Sequence, residues 1–270
     1  MQCPPIKKGL IVLMMLSLWW PPLAKAGDVE TSPPNLNPRT LHYFLSDGAY
    51  VVTSPFRFDQ KSGFLALGAL SFTAASSAWD KQVRHHFIDY KDAPSSKHSK
   101  QAGDAALVLG PAIGAGFFAE GVVNENDKSK ETGYLVYESF LWVLAIERPI
   151  NYIVGRKRPE TTDNPYSFAS FHINTSFPSG HTAQAFAAAT VYSEQYPHWY
   201  VAVPAYSVAA FTGYSRLHAS KHWLSDIVGG SMMGMYLAHT IRAHHRREDK
   251  KESAWDINFD GEQLQLARHF

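Results

Sequence analysis

Three short clusters between residues 156 and 226 hold the side chains best suited to chemistry: Arg156-Lys157-Arg158-Pro159, Pro178-Ser179-Gly180-His181, and Ser215-Arg216 with His222 and Asp226 behind it. Arginine presents a planar fork of donors that grips phosphate oxygens in pairs. A Ser-Gly-His turn ahead of the helical run from Thr182 offers first-turn backbone amides and a helix dipole to an anion. His181 has an imidazole that can hand a proton to a leaving alkoxide near neutral pH. An imidazole at His222, held in one tautomer by a carboxylate four residues on at Asp226, is an activated nucleophile or base. Together these groups can hold a tetrahedral oxyanion and attack it with an imidazole, which is the chemistry of phosphate-ester cleavage.

Each piece alone has a plainer explanation. Ser179 could simply cap a helix, and His222 with Asp226 could be a stabilising pair on one helical face. The arginines could be surface charges. Pro159 biases Arg158 away from helical geometry and so ends the preceding helix near it. Arg156 is the better of the two remaining basic neighbours as a further phosphate ligand. His218 and His222 are spaced like zinc ligands on a helix, but no third ligand stands near them, so a structural role for His218 is expected and no metal site.

The order and spacing of the clusters resemble the tripartite signature of the type 2 phosphatidic acid phosphatase superfamily, which takes in lipid phosphatases, class A bacterial acid phosphatases and vanadium haloperoxidases. That signature is Lys, six residues, Arg-Pro; then Pro-Ser-Gly-His; then Ser-Arg, five residues, His, three residues, Asp. Arg158-Pro159, Pro178 to His181, Ser215-Arg216, His222 and Asp226 all match. The resemblance implies an all-α helical bundle, with His222 as nucleophile through a phosphohistidine, Asp226 orienting it and His181 as general acid. It also implies that Arg158, Arg216, Ser179 and Gly180 cradle the phosphoryl oxygens, with neither metal nor cofactor. One position departs: seven residues before Arg158 stands Asn151 where the family has lysine. Asn151 can still donate to a phosphate oxygen but carries no charge, and Lys157 and Lys221 are the nearest candidates to replace it. Two other functions stay open: a vanadate-dependent haloperoxidase, disfavoured by the missing lysine, and a silent phosphate-binding protein, disfavoured by the intact His222, Asp226 and His181.

These residues need a helical frame. Apolar helical segments are expected over Ser62 to Trp79, Asp80 to Tyr90, Ala105 to Val123, Tyr134 to Val154, Thr182 to Gln195, Trp199 to Tyr214 and Trp223 to Ile241, with strand-type alternation scarce. Leu41 to Phe56 is a short helix or irregular packing, Pro94-Ser95-Ser96-Lys97 a loop, and Ala254 to Phe270 a strand or arm on the surface. Glu120, Glu147, Pro204 and Asp226 interrupt the apolar segments, which favours buried helices of a soluble bundle over membrane spans.

Lys7 and Lys8, an apolar stretch from Gly9 to Trp20 and Ala24-Lys25-Ala26 predict a secretory signal cut after Ala26. Four regions follow: signal peptide 1–26, an extension with helices 27–102, the core domain 103–246 and a tail 247–270. The mature chain is then expected in the periplasm or associated with the bacterial envelope membrane. The single cysteine, Cys3, leaves with the signal, so no disulfide is available. Loss of Lys7, Lys8 and Lys25 takes the 25 basic residues to 22 against 24 acidic ones, a net charge of −2. That balance argues against a nucleic-acid partner. The expected partner is a phosphate ester, soluble or lipid.

Overall fold

The computed structural model describes residues 38–54, 60–173, 175–253, 255–259 and 264–268, with side chains described for 44–54, 66–173 and 175–247. The expected signal peptide and most of the lead-in after it lie outside these residues. Among the described residues the chain forms eight α-helices: α1 Pro38–Thr53, α2 Gln60–Ser76, α3 Asp80–Phe87, α4 Pro94–Val123, α5 Asp127–Val154, α6 Gly180–Gln195, α7 Trp199–His218 and α8 Leu224–Ser253. The bundle is all-α, as expected. The tail adds an antiparallel hairpin of β1 Trp255–Phe259 and β2 Leu264–Arg268, with Trp255 opposite Arg268 and Phe259 opposite Leu264.

Pro94-Ser95-Ser96-Lys97 is the first turn of α4 and not a loop. Pro94 stands at the start of the helix, where its missing N–H has no intrahelical partner to lose and its fixed φ suits helical geometry. Helix α4 runs unbroken through residue 103 and α8 through residue 246, so both expected core boundaries fall inside helices.

Helix α6 is the central element and packs against α5, α7 and α8. Its Ala183, Ala187, Ala189 and Val191 are almost wholly buried, and Val51, Leu135, Val136, Val143, Leu237 and Ile241 fill the core around it. Helix α8 crosses α6 closely because Gly230 and Gly234, one turn apart, face it: a Cβ there would lie 2.5 Å from the Ser179 carbonyl oxygen and 2.0 Å from that of Ala183. Small residues at such spacing let two helix backbones touch.

The outer surface is apolar. Val108, Leu109, Ile113 and Val123 of α4 and Val203, Val208 and Phe211 of α7 are exposed. Trp199 and Tyr200 mark one end of α7 and Tyr214 the other, and all three rings are exposed. Helix α4 contains a stretch long and apolar enough to cross a bilayer, of which only 11% is buried. A soluble bundle would pack these side chains inward. Of the interrupting charges that favoured such a bundle, Glu147 and Asp226 point into the protein, whereas Glu120 is exposed near the end of α4.

Candidate active site

The predicted residues meet at one end of the bundle, where the first turns of α4, α6 and α8 come together with the last turns of α5 and α7. Gly155 makes this possible. It ends α5 with φ of +64°, and a Cβ there would lie 2.1 Å from the Ala169 carbonyl oxygen, so only glycine fits. The turn sends Arg156 into an antiparallel bridge with Phe168 and carries Arg158 onward toward α6.

The floor of the site is an ion-pair lock built on Arg156. Its Nη1 donates to Asp226 Oδ1 and Ser225 Oγ, each at 2.7 Å; its Nη2 donates to Asp80 Oδ2 at 2.7 Å, and its Nε to the Pro165 carbonyl at 2.8 Å. Asp80 also accepts from the Ser225 backbone N–H and hydroxyl. Arg156 is 5% exposed, with its guanidinium over the Trp223 ring. The expected role of Arg156 as a phosphate ligand is therefore corrected: its donors are spent on two carboxylates, a hydroxyl and a carbonyl.

His222 lies in the turn between α7 and α8, so its spacing to Asp226 is not the helical spacing assumed from the sequence. Its Nδ1 is 2.7 Å from the Ser176 carbonyl oxygen, whereas Asp226 Oδ2 stands 3.8 Å away. Asp226 Oδ2 accepts instead from the Trp223 backbone N–H at 2.8 Å, which leaves Asp226 near the ring as a charge without a hydrogen bond to it. A carbonyl can only accept, so Nδ1 carries a proton, and in the neutral tautomer the lone pair is then on Nε2. The loop bearing Ser176 is fixed in turn, since the Ser176 hydroxyl and the Trp223 indole N–H both donate to the Lys157 carbonyl.

Around the rim stand the other groups, of which Arg158 is partly open and Arg216 is as buried as Arg156. Ser179 precedes α6, but its backbone N–H donates to the Asp226 carbonyl at 3.1 Å and its hydroxyl lies 3.0 Å from that of Thr182. The amides left for an anion are those of the following first turn, including Gly180 and His181, because a helix gives them no internal acceptor. Gly180 has a further reason to be glycine: a Cβ there would come 2.9 Å from Glu147 Cδ. Arg158 is 27% exposed on its side chain, 3.9 Å from Glu160 and with one weak bond from Nε to the Thr175 carbonyl. Arg216 is buried, bonded to the Lys100 carbonyl at 2.9 Å and paired with Asp104 at 2.8 Å. Asn151 accepts from the Thr175 hydroxyl with both its backbone and its side-chain oxygens, and its Nδ2 points to the Thr175 carbonyl at 3.4 Å. That side chain fixes the loop ahead of Ser176 and is not held open for phosphate.

Asp104, Lys100, Glu147, Asp80 and Ser176 belong to the same end of the bundle and were missed in the sequence. Asp104 joins Lys100 at 2.7 Å, Arg216 and His181 Nε2 at 3.4 Å. Against partial burial, Lys100 and Arg216 hold its carboxyl below the ordinary range. Burial first, then Arg216 and His222, hold His181 down to about 4, against the opposite pull of Asp104, although 41% of its side chain is open. Of the cations considered as substitutes for the missing lysine, Lys221 is paired with Glu160 at 2.6 Å and Lys157 is exposed. Lys100 is the lysine that sits among the rim groups. Outside it lies an open groove of about 430 Å³, lined by Lys91, Lys97, Lys100 and Lys221 with Asp92 and Glu160.

His218 has no catalytic geometry. It ends α7 among Phe87, Tyr90 and Tyr214, ring against ring.

The helical frame and the grouping of these residues at one end of it can be compared with known proteins. Residues 132–249 match the family model of the PAP2 superfamily. A lipid A 1-phosphatase from Porphyromonas gingivalis is 36% identical over 114 residues, which cover 40% of this chain and 23% of that protein; the match thus spans about a quarter of the relative's length. The crystal structure of a transmembrane PAP2-type phosphatidylglycerolphosphate phosphatase from Bacillus subtilis superposes with a TM-score of 0.52 at 21% identity, over 70% of this chain and 98% of that one. It shares the fold.

Proposed function

We propose that this protein is an exported, membrane-associated phosphatase that hydrolyses a lipid phosphate or pyrophosphate through a phosphohistidine at His222, without a catalytic metal. The observation that carries this reading is the 2.7 Å bond between His222 Nδ1 and the Ser176 carbonyl, which leaves the Nε2 lone pair as the nucleophile. In the first step Nε2 attacks phosphorus, the phosphorus–oxygen ester bond breaks, and His181 gives its proton to the departing alkoxide. In the second, His181 takes a proton from water, the resulting hydroxide attacks phosphorus, the phosphorus–nitrogen bond breaks, and inorganic phosphate leaves. Asp226, 3.8 Å from the ring, stabilises the cationic imidazole electrostatically. Arg158, Arg216 and the Gly180 and His181 amides hold the phosphoryl oxygens, with Ser179 fixing the turn that presents them. Lys100 supplies the charge that Asn151 lacks. His181, neutral near pH 7 in the free site, gains its proton as the substrate dianion arrives.

Lipid as substrate is supported by the exposed apolar faces of α4 and α7, by the aromatic rings at the two ends of α7, and by the named activities of the two relatives. On this reading apolar stretches within 105–119, 134–146, 183–193, 201–214 and 227–241 lie in the bilayer and the phosphoryl site opens at its surface. The lysine-lined groove would then receive an anionic headgroup.

The test is turnover by detergent-purified protein on phosphatidylglycerolphosphate, lipid A, phosphatidic acid and a prenyl pyrophosphate, against a soluble aryl phosphate. A preference for one lipid is expected, with acid-labile radioactive phosphate trapped on the wild-type protein and absent from His222→Ala. Equal turnover by His222→Ala would remove the mechanism.

A further inference from the structure

The bundle carries a second cluster of titratable side chains that phosphoryl transfer does not use. Asp47 in α1, Glu138 in α5 and His245 in α8 are 0%, 1% and 4% exposed, and one ligand atom from each lies within 4.8 Å of the other two. Helix α8 runs from Asp226 at the phosphoryl site to His245, a rise of about 28 Å at roughly 1.5 Å per residue. The cluster is therefore remote from the proposed chemistry.

Its internal bonding does not balance. Glu138 Oε2 is 3.1 Å from His245 Nε2, and an Asp47 oxygen closes on the same nitrogen. One imidazole nitrogen has one proton or one lone pair to offer and cannot satisfy two carboxylates. Glu138 Oε1 is buried and has no hydrogen-bond partner among the described residues. A carboxylate in that position is costly unless a compensating charge sits beside it. The second Asp47 oxygen is held by His244 Nδ1, whose ring stacks on Tyr50 at 4.2 Å. That is the arrangement of an outer group orienting a ligand.

We infer that Asp47, Glu138 and His245 form a structural site for a divalent first-row metal ion, of which zinc is the natural probe, tying α1 to α5 and α8. Two carboxylate oxygens and one imidazole nitrogen are donors that zinc accepts, at about 2.0–2.2 Å each, which sets the ligand atoms roughly 3.3 Å apart. The Glu138–His245 separation is already close to that spacing, and the Asp47 carboxylate has only to draw back slightly. The ion neutralises both acids and takes the His245 lone pair. It also closes long loops, since Glu138 and His245 are 107 residues apart, and pins α1 to the bundle.

Detergent-purified full-length protein is loaded with zinc, desalted and measured for metal by mass spectrometry, alongside its melting temperature with and without zinc. About one zinc per chain and a higher melting temperature are expected, with Glu138→Gln losing at least about tenfold in retained zinc and all of the thermal shift. Turnover of a soluble phosphate ester by Glu138→Gln stays near wild type, which separates this site from the phosphoryl one. Cobalt loading of the wild type gives visible ligand-field absorption and needs no variant, should Glu138→Gln fail to fold. Absence of retained zinc, of a thermal shift and of a cobalt spectrum would reduce the cluster to an ion-pair network and overturn the proposal. Zinc retention equal in Glu138→Gln would overturn it too, by placing the metal elsewhere.

Discussion

Arg156 and Arg158 stand two residues apart in one basic motif and do opposite things. Arg156, on the floor, is 5% exposed and shares its donors among Asp80, Asp226, Ser225 and a carbonyl. Arg158, on the rim, keeps 27% of its side chain open and has only a weak bond and a distant acid. The same contrast runs through the rest of the end: Asp80 and Asp226 are saturated and buried, whereas Asp104 and Lys100 are paired but partly exposed. Residue type does not decide which group is structural and which can receive a phosphate. Between Arg156 and Arg158 prior commitment of donors does, because a guanidinium already bonded to two carboxylates must break those bonds to take a third anion.

The largest effect that would break this division is on His222. If His222 is the nucleophile as proposed, His222→Ala should lower kcat by at least about a thousandfold while leaving the melting temperature in place. The two arginines come next and should part company. Arg156→Met leaves Asp80 and Asp226 buried without a counter-charge, and the fold should lose about 3–5 kcal/mol in denaturant unfolding. Arg158→Ala should melt like the wild type but lose about a hundredfold in kcat/KM, the scale for one donor to a developing oxyanion. A stable Arg156→Met, or an unstable Arg158→Ala, would show that floor and rim have been drawn in the wrong place.

The sequence carried the rim better than the floor. That Arg158, Gly180, His181, Arg216 and His222 lie together could be read from their short motifs, whose residue types suit one chemistry. Arg156 was misread because its partner Asp80 lies 76 residues away, in a helix whose own pattern gives no hint of an ion pair. His222 and Asp226 were joined by a helical spacing that the turn before α8 does not have, and the Ser176 carbonyl that holds the ring is backbone, invisible to any reading of side chains. Asp104 left a fainter trace, a Lys100 four residues before it on the same helical face. Glu147, an acid in an apolar helix one turn before Asn151, was legible as a break in hydropathy but not as a neighbour of Gly180. The helices themselves were legible from their apolar runs. Which face looks outward was not, since an apolar run reads alike against a core and against lipid.

Asp104 sharpens the rim at a smaller scale. Its carboxylate raises the His181 pKa against the lowering by burial, Arg216 and His222. Asp104→Asn removes that support, so the imidazole loses its proton at lower pH and the alkaline limb of the kcat/KM profile should move down. Each unit of that shift costs about tenfold in the protonated fraction on the alkaline side. An unmoved limb would mean that Asp104 serves Arg216 and not His181.

The smallest effect is expected at Asn151, where restoring the family's lysine looks from the sequence like repairing the site. The structure gives two reasons why Asn151→Lys should not do so. The asparagine side chain is bonded to Thr175, and Thr175 precedes the Ser176 carbonyl on which His222 rests. A lysine at 151 would also stand one helical turn from Glu147, and an acid four residues ahead of a base on a helix draws its charge into a pair. Orthovanadate inhibition should therefore change by less than about threefold, because the new charge is taken up by Glu147 one turn away. A tenfold or greater gain in vanadate affinity would show that position 151 faces the cradle, and that its bond to Thr175 yields when an anion arrives. In that case the asparagine belongs to the rim after all.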